Sequence, residues 1–391
     1  MRVAYIRDFY PERRCIIKKI KDIEYVFCDE RLTKTRIIRK IERILLQQKS
    51  PGWNWLVYDP VIKPKADIVH TFNSVCKIGK IPWVVTFEST IPRTNQTVGR
   101  AWEKGNRTFT PDYFTKSSMR LLADNSCKAC IALSDSAKRI QIKMLESMEI
   151  DASVIKLIRE KIQVVHPPQE VFCTELEVRN KYRSIHSCME FLFVGHDFFR
   201  KGGAPLIEVL EKMKHKGKIH LTVVSNLGYE QFASIEERKV MEKVLKNSDW
   251  ITWFVQLPNE KVLELCKNAH IGCLPTLQDT YGYSILEMQA CGLPVITTNV
   301  RACPEINNEI CGWIVPLTLD NIGGEAIRYT ERDRENRKEE LLIGLEKCLT
   351  NIFKNQDMIE EKAIQALRRI ERVHSPEKYA EKIKRIYESF L

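Results

Sequence analysis

Short apolar runs alternate with amphipathic stretches along most of the chain. In the first half these runs are "RVAYI", "IEYVF", "WNWLVYD", "ADIVHTF", "WVVTFE", "ACIALS" and "IQVVHPP". In the second half they are "MEFLFVG", "KIHLTVVS", "WITWFV", "AHIGCLP", "LPVITT" and "CGWIVP". Most are rich in valine, isoleucine and aromatic residues and end in polar or turn-forming residues. Strands separated by helices have this pattern, so the sequence predicts βαβ units and largely parallel sheets.

The alternation lapses between residues 168 and 188, where "PQEVFCTELEVRNKYRSIHSC" has no clean period. A chain of 391 residues is long enough for two domains. The tail begins with Ser375 as a helix cap and Pro376 at the first helical position, which predicts a last helix. We therefore predict an α/β protein with two doubly wound, Rossmann-like domains and a C-terminal helix, with the boundaries 1–172, 173–374 and 375–391.

The composition is that of a folded globular protein, with 44% hydrophobic residues. No run reaches the roughly 18 uninterrupted apolar residues of a membrane-spanning helix. The N-terminal "MRVAYIRDFYPERR" has one short apolar run followed by charge, so we expect no secretory signal. Among the 13 cysteines, the one tight pair, Cys127 and Cys130, lacks partners at zinc-site spacing. We therefore expect reduced thiols, no metal site and a cytoplasmic location.

The net charge of +11 is concentrated partly in "RLTKTRIIRKIERILLQQK", residues 31–49. On a helix, one face of this segment is apolar and the others carry basic side chains. Such a helix can be an ordinary solvated surface helix, can lie on an anionic membrane surface, or can face a phosphate-bearing substrate. Nucleic acid would fit the charge alone. We find no recognisable nucleic-acid module, so we do not expect that partner.

Polar residues follow several of the predicted strands of the first domain. Ligands of doubly wound sheets gather at the carboxyl ends of the strands. The residues that this rule places in the functional crevice are Asn73, Glu88, Ser89, Thr90 and Ser134.

"FLFVGHDFFRKGGAPLIEVLEKM", residues 191–213, predicts a buried strand, a short loop and an amphipathic helix. Arg200 and Lys201 stand at the helix entrance beside two glycines. Glycines let the backbone approach a ligand closely, and both the cations and the helix N-terminus favour negative charge. The segment is therefore a candidate anion site, although adjacent basic residues before a helix are also common on ordinary surfaces.

A second candidate is "LQDTYGYSILEMQACGLPVIT", residues 277–297, where a loop leads from a strand into a helix that stops at Gly292. The N–H groups of the loop Tyr281-Gly282-Tyr283-Ser284 would make a second phosphate cradle. Glu287 could accept hydrogen bonds from a ribose diol, and Asp279 from sugar hydroxyls. The alternatives are a capping box between Ser284 and Glu287 and a local turn at Asp279.

These motifs resemble retaining glycosyltransferase family 4, whose members have the two-domain GT-B fold. The resemblance covers about residues 189–391 and rests on Asp279 to Glu287 with "LEMQACGLPVITTN", on "CPEINNEICGWIVP", on "FLFVGHDFFRKGG" and on "HSPEKYAEKIKRIYESF". In the first half it rests only on "ADIVHTFN", "WVVTFE" and "CIALSDSAKR". It implies two Rossmann-like domains facing across a cleft, with the C-terminal helix crossing back to the first.

The resemblance also implies roles for individual residues. Lys201 would contact the donor diphosphate, Glu287 the ribose and Asp279 the transferred sugar. Backbone groups at Tyr281, Gly282 and Tyr283 would face the phosphates and sugar.

Four positions depart from the family pattern. His196 replaces a common arginine, so Arg200 is the candidate second cation. Asp279 stands where glutamate is commoner. Glu88 occupies the place of a frequent active-site histidine, and we predict that it orients or deprotonates the acceptor. Arg7 would replace the backbone donors of a missing glycine pair.

The expected activity is sugar transfer from a UDP- or GDP-type nucleotide sugar to a hydroxyl acceptor, with retention and without a metal or other cofactor. The acceptor would be a glycan or a lipid-linked molecule, and the basic segment would place the enzyme on the inner membrane face. Two other interpretations remain: a different enzyme on this fold, such as an epimerase or phosphorylase, and a non-catalytic binding or scaffold protein.

Overall fold

A computed structural model describes most of the chain, and its described residues are 1–29, 33, 34, 37, 57–92, 110, 111, 113–183, 185, 187–228, 232–320, 324–326 and 330–391. The predicted basic helix over 31–49 lies outside them except for three positions, so it stays a prediction. The chain divides into two compact units. Unit 1 comprises Met1–Pro168 with Pro376–Leu391, and unit 2 comprises Gln169–Ser375.

Unit 1 is built on a six-stranded parallel sheet in the order β2-β1-β4-β6-β7-β8. Its strands are β1 Arg2–Tyr5, β2 Glu24–Phe27, β4 Ile68–Phe72, β6 Trp83–Phe87, β7 Cys127–Ala132 and β8 Ile162–Val164. A separate pair consists of β3 Val57–Tyr58 and β5 Val75–Cys76. The described helices are α1 Tyr10–Cys15, α2 Tyr113–Ala123, α3 Asp135–Glu146 and α4 Ala152–Lys161. Every residue of β4 and β6 is buried, as expected for strands covered on both faces.

A β-bulge brings the two neighbouring cysteines of β7 to the same side. The register with β6 shifts between Trp83↔Cys127 and Val84↔Ala129, which leaves Lys128 as the extra residue. The Sγ atoms of Cys127 and Cys130 are 3.9 Å apart in the core. Burial raises the pKa of the Cys127 thiol, so it stays protonated at neutral pH.

The last helix, α13 Pro376–Glu388, is part of unit 1 and is fixed there by two buried tyrosines. The Tyr379 hydroxyl donates to the Cys15 carbonyl over 2.6 Å. The Tyr387 hydroxyl lies 2.6 Å from Nδ1 of His70, whose Nε2 is 2.7 Å from the Thr86 hydroxyl. Complete burial lowers the pKa of His70 to about 3, so this bridge between the helix and the sheet holds a neutral imidazole.

Unit 2 has a second six-stranded parallel sheet, in the order β11-β10-β9-β12-β13-β14. Its strands are β9 Met189–Val194, β10 Ile219–Val224, β11 Ile251–Phe254, β12 Ile271–Leu274, β13 Val295–Thr298 and β14 Gly312–Val315. The helices are α5 Glu175–Tyr182, α6 Gly203–Met213, α7 Ile235–Asn247, α8 Asn259–Asn268, α9 Tyr283–Ala290, α10 Cys303–Ile306, α11 Glu331–Lys354 and α12 Asp357–Val373, with a 3₁₀ turn at Lys214–Lys216.

The strand order of unit 2 is that of the classic Rossmann fold, so the direction of strand addition reverses between β9 and β12. Ligands of such sheets bind beyond the carboxyl ends of the strands at this switch point. The loop after β9 carries the arginine-lysine-glycine motif, and the loop after β12 carries Asp279. The topology therefore places the two candidate motifs of the sequence side by side.

Within the described ranges, none of the helices has both the length and the apolar content that crossing a bilayer would need.

Candidate functional site

Close backbone contact fixes the loop that follows β9. Gly202, the N-cap of α6, has φ +78°, and a Cβ atom there would lie 2.1 Å from the carbonyl oxygen of Pro275 just beyond β12. A Cβ on Gly203 would lie 2.2 Å from the ring of Phe198. Only glycine fits these positions, because a side chain at Gly202 would push the loop away from Pro275 and one at Gly203 would displace the Phe198 ring. The glycines thus hold Lys201 against the neighbouring loop.

The loop after β12 enters α9 through Gly282. This residue is the N-cap of α9 with φ +97°, and a Cβ there would lie 2.8 Å from Ile285 Cδ1. Glycine has no side chain to cap the helix, so the first N–H groups of α9 meet no capping group from that residue. The Tyr281 ring is buried and its centroid is 5.2 Å from that of Tyr283.

The capping box considered between Ser284 and Glu287 is wrong. It would need Ser284 at the N-cap, whereas Ser284 is the second residue of α9. Glu287 is then the fifth helical residue, at the start of the second turn and half-buried. A helix-capping role therefore does not account for Glu287, although its role in ligand binding stays a prediction. Gly292 does follow the end of α9 in a left-handed conformation, as predicted.

An ion pair joins the two loops. Lys201 Nζ lies 2.5 Å from Asp279 Oδ2, although 78 residues separate them in sequence. The lysine side chain is 9% exposed and the aspartate side chain 14% exposed, so water screens the pair little. The other carboxylate oxygen of Asp279 accepts from the backbone N–H of Thr280 over 2.8 Å. Asp279 is therefore oriented from both sides.

Arg200 is held beside this pair by a second carboxylate. Its Nε donates to Asp197 Oδ2 over 3.0 Å, and its Nη1 donates to the carbonyl oxygen of Gln278 over 3.2 Å. Asp197 is buried, has φ +67° and donates its backbone N–H to Asn226 Oδ1 over 2.9 Å. We did not identify Asp197 from the sequence, where its three-residue spacing from Arg200 was the available signal. The side chain of His196 is exposed.

Gln278 connects the site to the loop near residue 325. Its carbonyl oxygen faces both cations, since Lys201 Nζ is 3.5 Å away. Its side-chain amide donates to Glu325 Oε2 over 3.1 Å, and Glu325 forms an ion pair with Arg301. Arg301 is itself in a left-handed conformation and donates its N–H to the carbonyl of Gly324. The sequence did not predict these contacts from Gln278 through Glu325 to Arg301, because no short motif links the three residues.

In unit 1 the structure pairs two of the predicted crevice residues. The Glu88 N–H donates to Asn73 Oδ1 over 3.3 Å, and Asn73 Nδ2 donates to Glu88 Oε1 over 3.4 Å. Asn73 has φ +53°, a conformation that asparagine tolerates. The Ser134 hydroxyl accepts from the Ala137 N–H and caps α3, which is a structural role. Arg7 is buried. The catalytic role suggested for Glu88 stays a prediction.

Part of the chain is similar in sequence to known glycosyltransferases. Residues 176–340 match the family described as "Glycosyl transferases group 1". The chain is 21% identical to O-antigen chain mannosyltransferase B of Escherichia coli over 57% of its own length and 58% of the relative's. It is 23% identical to MMP alpha-(1->4)-mannosyltransferase of Mycolicibacterium hassiacum over 42% of its own length and 38% of the relative's. The matches therefore span less than two thirds of either relative.

Among solved structures, HepE of Anabaena in complex with UDP and glucose is similar over 100% of both chains, with a TM-score of 0.59 at 10% identity. Identity at this level shows the fold alone. The fold is GT-B. It consists of two Rossmann-like domains, and the prediction of fold class is confirmed.

Within this GT-B chain, the segment that matches the family contains the candidate site of unit 2. Lys201, Asp279 and Glu287 all lie between residues 176 and 340. Glu88 lies outside it. The match therefore covers the residues for which we predict donor binding, whereas the prediction of acceptor chemistry in unit 1 rests on the sequence and the local geometry.

Proposed function

We propose that this chain is a retaining glycosyltransferase of family 4 that moves a sugar from a nucleotide diphosphate sugar to a hydroxyl acceptor. The observation that carries the proposal is the convergence of Arg200, Lys201 and Asp279 at the Rossmann switch point of unit 2, beside the glycine N-cap of α9. Such a site offers two cations, backbone N–H groups at a helix start and a carboxylate. A nucleotide sugar presents a diphosphate and sugar hydroxyls that match them.

In this proposal each residue binds one part of the donor. Lys201 and Arg200 take the diphosphate, together with the N–H groups at the start of α9. Asp279 accepts hydrogen bonds from the sugar, and Glu287 accepts them from the ribose. The backbone of Tyr281 to Ser284 and the exposed His196 would contact the donor as well.

The main catalytic task is electrostatic. Departure of the nucleoside diphosphate builds negative charge, and preorganised cations and helix N–H groups lower the barrier by stabilising that charge. Lys201 is well placed for this because it is nearly buried, where charge interactions are strong. These groups belong to the protein itself, so we propose that the reaction needs no metal ion.

We further propose that the acceptor is a glycan or lipid-linked molecule in cell-surface glycan or glycolipid synthesis. The E. coli relative, named for O-antigen chain synthesis, supports this direction. Glu88 would orient or deprotonate the acceptor hydroxyl, and Asn73 holds Glu88 through one hydrogen bond to its carboxylate and one from its backbone N–H. We propose a cytoplasmic enzyme that attaches to an anionic inner membrane surface, an attachment that the net charge of +11 favours.

A thermal-shift screen across nucleoside diphosphates and nucleotide sugars tests donor binding. GDP-mannose belongs in the screen because the two relatives are named as mannosyltransferases, and UDP-glucose because HepE was solved with UDP and glucose. A ligand present at 100 times its dissociation constant adds about 2.7 kcal/mol of stability. Stabilisation by the compounds that share one nucleotide base supports the proposal. The proposal is contradicted if none of the compounds stabilises the protein.

The non-catalytic alternative predicts binding without turnover. The presence of Glu88 where the family often has histidine is the feature that favours it. Release of nucleoside diphosphate from the bound donor separates the two functions, since a scaffold would show none above the enzyme-free rate.

A further inference from the structure

The anion site of unit 2 is already occupied by the protein's own carboxylates. Lys201 is paired with Asp279 at 2.5 Å and Arg200 with Asp197 at 3.0 Å. Each cation thus has one acidic partner, and the four groups carry no net charge together. An incoming diphosphate therefore meets a neutral cluster in which Asp279 occupies the position beside Lys201 that a phosphate oxygen would take.

The two ion pairs differ in whether the carboxylate can leave its cation. Asp197 lies in a buried, left-handed loop position and is tied to Asn226, so it stays with Arg200. Asp279 lies on the loop that leads into α9, and its Oδ1 already has a backbone partner in Thr280. Its Oδ2 can exchange Lys201 for another hydrogen-bond donor without leaving the Asp279 carboxylate unsatisfied.

We propose that Asp279 is a specificity-determining residue that discriminates nucleotide sugars from nucleoside diphosphates by competing with phosphate for Lys201. This inference rests on the proposed function. When a nucleotide sugar binds, the sugar hydroxyls donate to Asp279 and compensate it for the loss of Lys201. A nucleoside diphosphate lacks those hydroxyls, so it brings a phosphate next to Asp279 with no compensation, and like charges repel.

The same competition favours release of the product. After transfer, the sugar no longer holds Asp279, and the carboxylate returns to Lys201 while the nucleoside diphosphate leaves. Specificity of this kind is a difference between two affinities, and it arises from the penalty imposed on the unwanted ligand.

The test compares dissociation constants of the nucleoside diphosphate and of its sugar for wild-type protein and Asp279→Asn. Asparagine keeps the shape and removes the charge. We expect the nucleoside diphosphate to bind about tenfold more tightly, which corresponds to about 1.4 kcal/mol. The nucleotide sugar should bind no more tightly than to wild type, because the amide is a poorer acceptor for its hydroxyls. Asp279→Ser serves as a second variant if Asp279→Asn does not fold.

Two controls separate this mechanism from a general loss of negative charge. Asp197→Asn removes the matched carboxylate beside Arg200, and it should not reproduce the gain in nucleoside diphosphate affinity. In a Lys201→Met background, Asp279→Asn should give a smaller gain in that affinity, because only the repulsion between Asp279 and phosphate is removed there and the competition needs the lysine.

Unchanged or weaker nucleoside diphosphate binding by Asp279→Asn overturns the inference, as does an equal gain in Asp197→Asn or in the Lys201→Met background. These results leave the proposed function standing, since wild-type protein still binds the donor. Wild-type protein that binds neither compound contradicts the proposed function as well.

Discussion

Replacing Gly202 with alanine tests whether close loop packing builds the site. The left-handed conformation costs an alanine roughly 1–2 kcal/mol. The new Cβ would also lie 2.1 Å from the Pro275 carbonyl oxygen, so the loop must shift by about 0.9 Å before that distance reaches 3.0 Å. Adding this overlap to the conformational cost, we expect Gly202→Ala to lose about 3 kcal/mol of stability. A displacement near 1 Å can also cost about 100-fold in activity, because the shift moves Lys201 out of position for the donor diphosphate.

Gly217→Ala is the matched control. Gly217 has φ 166°, which is extended backbone, and a Cβ there would have its nearest atom, in the Phe353 ring, at 3.8 Å. We expect this variant to stay within about 0.5 kcal/mol of wild type. Urea unfolding and nucleotide titration of both variants provide the comparison. Equal stability and equal nucleotide affinity in the two variants would refute the argument that Gly202 sets the geometry of the site.

Three further predictions concern other parts of the protein. Glu287→Ala should lose nucleotide affinity at nearly unchanged stability, and unaltered affinity in a titration rules out the ribose assignment. Glu88→Gln should slow sugar transfer while donor binding is kept, and a wild-type rate from pH 5 to about 9 excludes a proton-transfer role. The pKa of His70 in the fold is about 3, below its unfolded value of 6.5, so stability present above pH 6.5 is lost as the pH falls towards 3. At pH 4.5 this loss should be about 3 kcal/mol, and His70→Gln should show a smaller loss between pH 7 and pH 4.5 in urea unfolding.

The sheets could be predicted because buried parallel strands are continuous apolar runs. Each described strand of unit 2 falls within a run identified from the sequence. Strand β3 lies within the predicted run "WNWLVYD", whereas its partner β5 was missed, since a strand of two residues is too short to show a period. We predicted Ser284 in the loop before the helix, whereas α9 begins at Tyr283. Its N-cap is Gly282 with φ +97°, and no feature of the sequence predicts that conformation.

The site could be predicted only in separate pieces. Lys201 and Asp279 each stood out within a motif, but their ion pair depends on β9 lying next to β12, which local patterns do not specify. Asp197 was overlooked because its importance comes from burial and from its bond to Arg200. Both features depend on how the loops pack, and neither changes the hydrophobic periodicity of the sequence.

Turnover of a nucleotide sugar tests the central claim most directly. The measurement is release of nucleoside diphosphate from the donor that stabilises the protein, by wild type and by Lys201→Met, across donor concentrations. We predict measurable release by wild type and a fall in kcat of about 100-fold in the variant, larger than any change in KM, because the lysine stabilises charge that grows in the transition state. A wild-type rate equal to the enzyme-free rate, or equal kcat in the two proteins, would contradict the account.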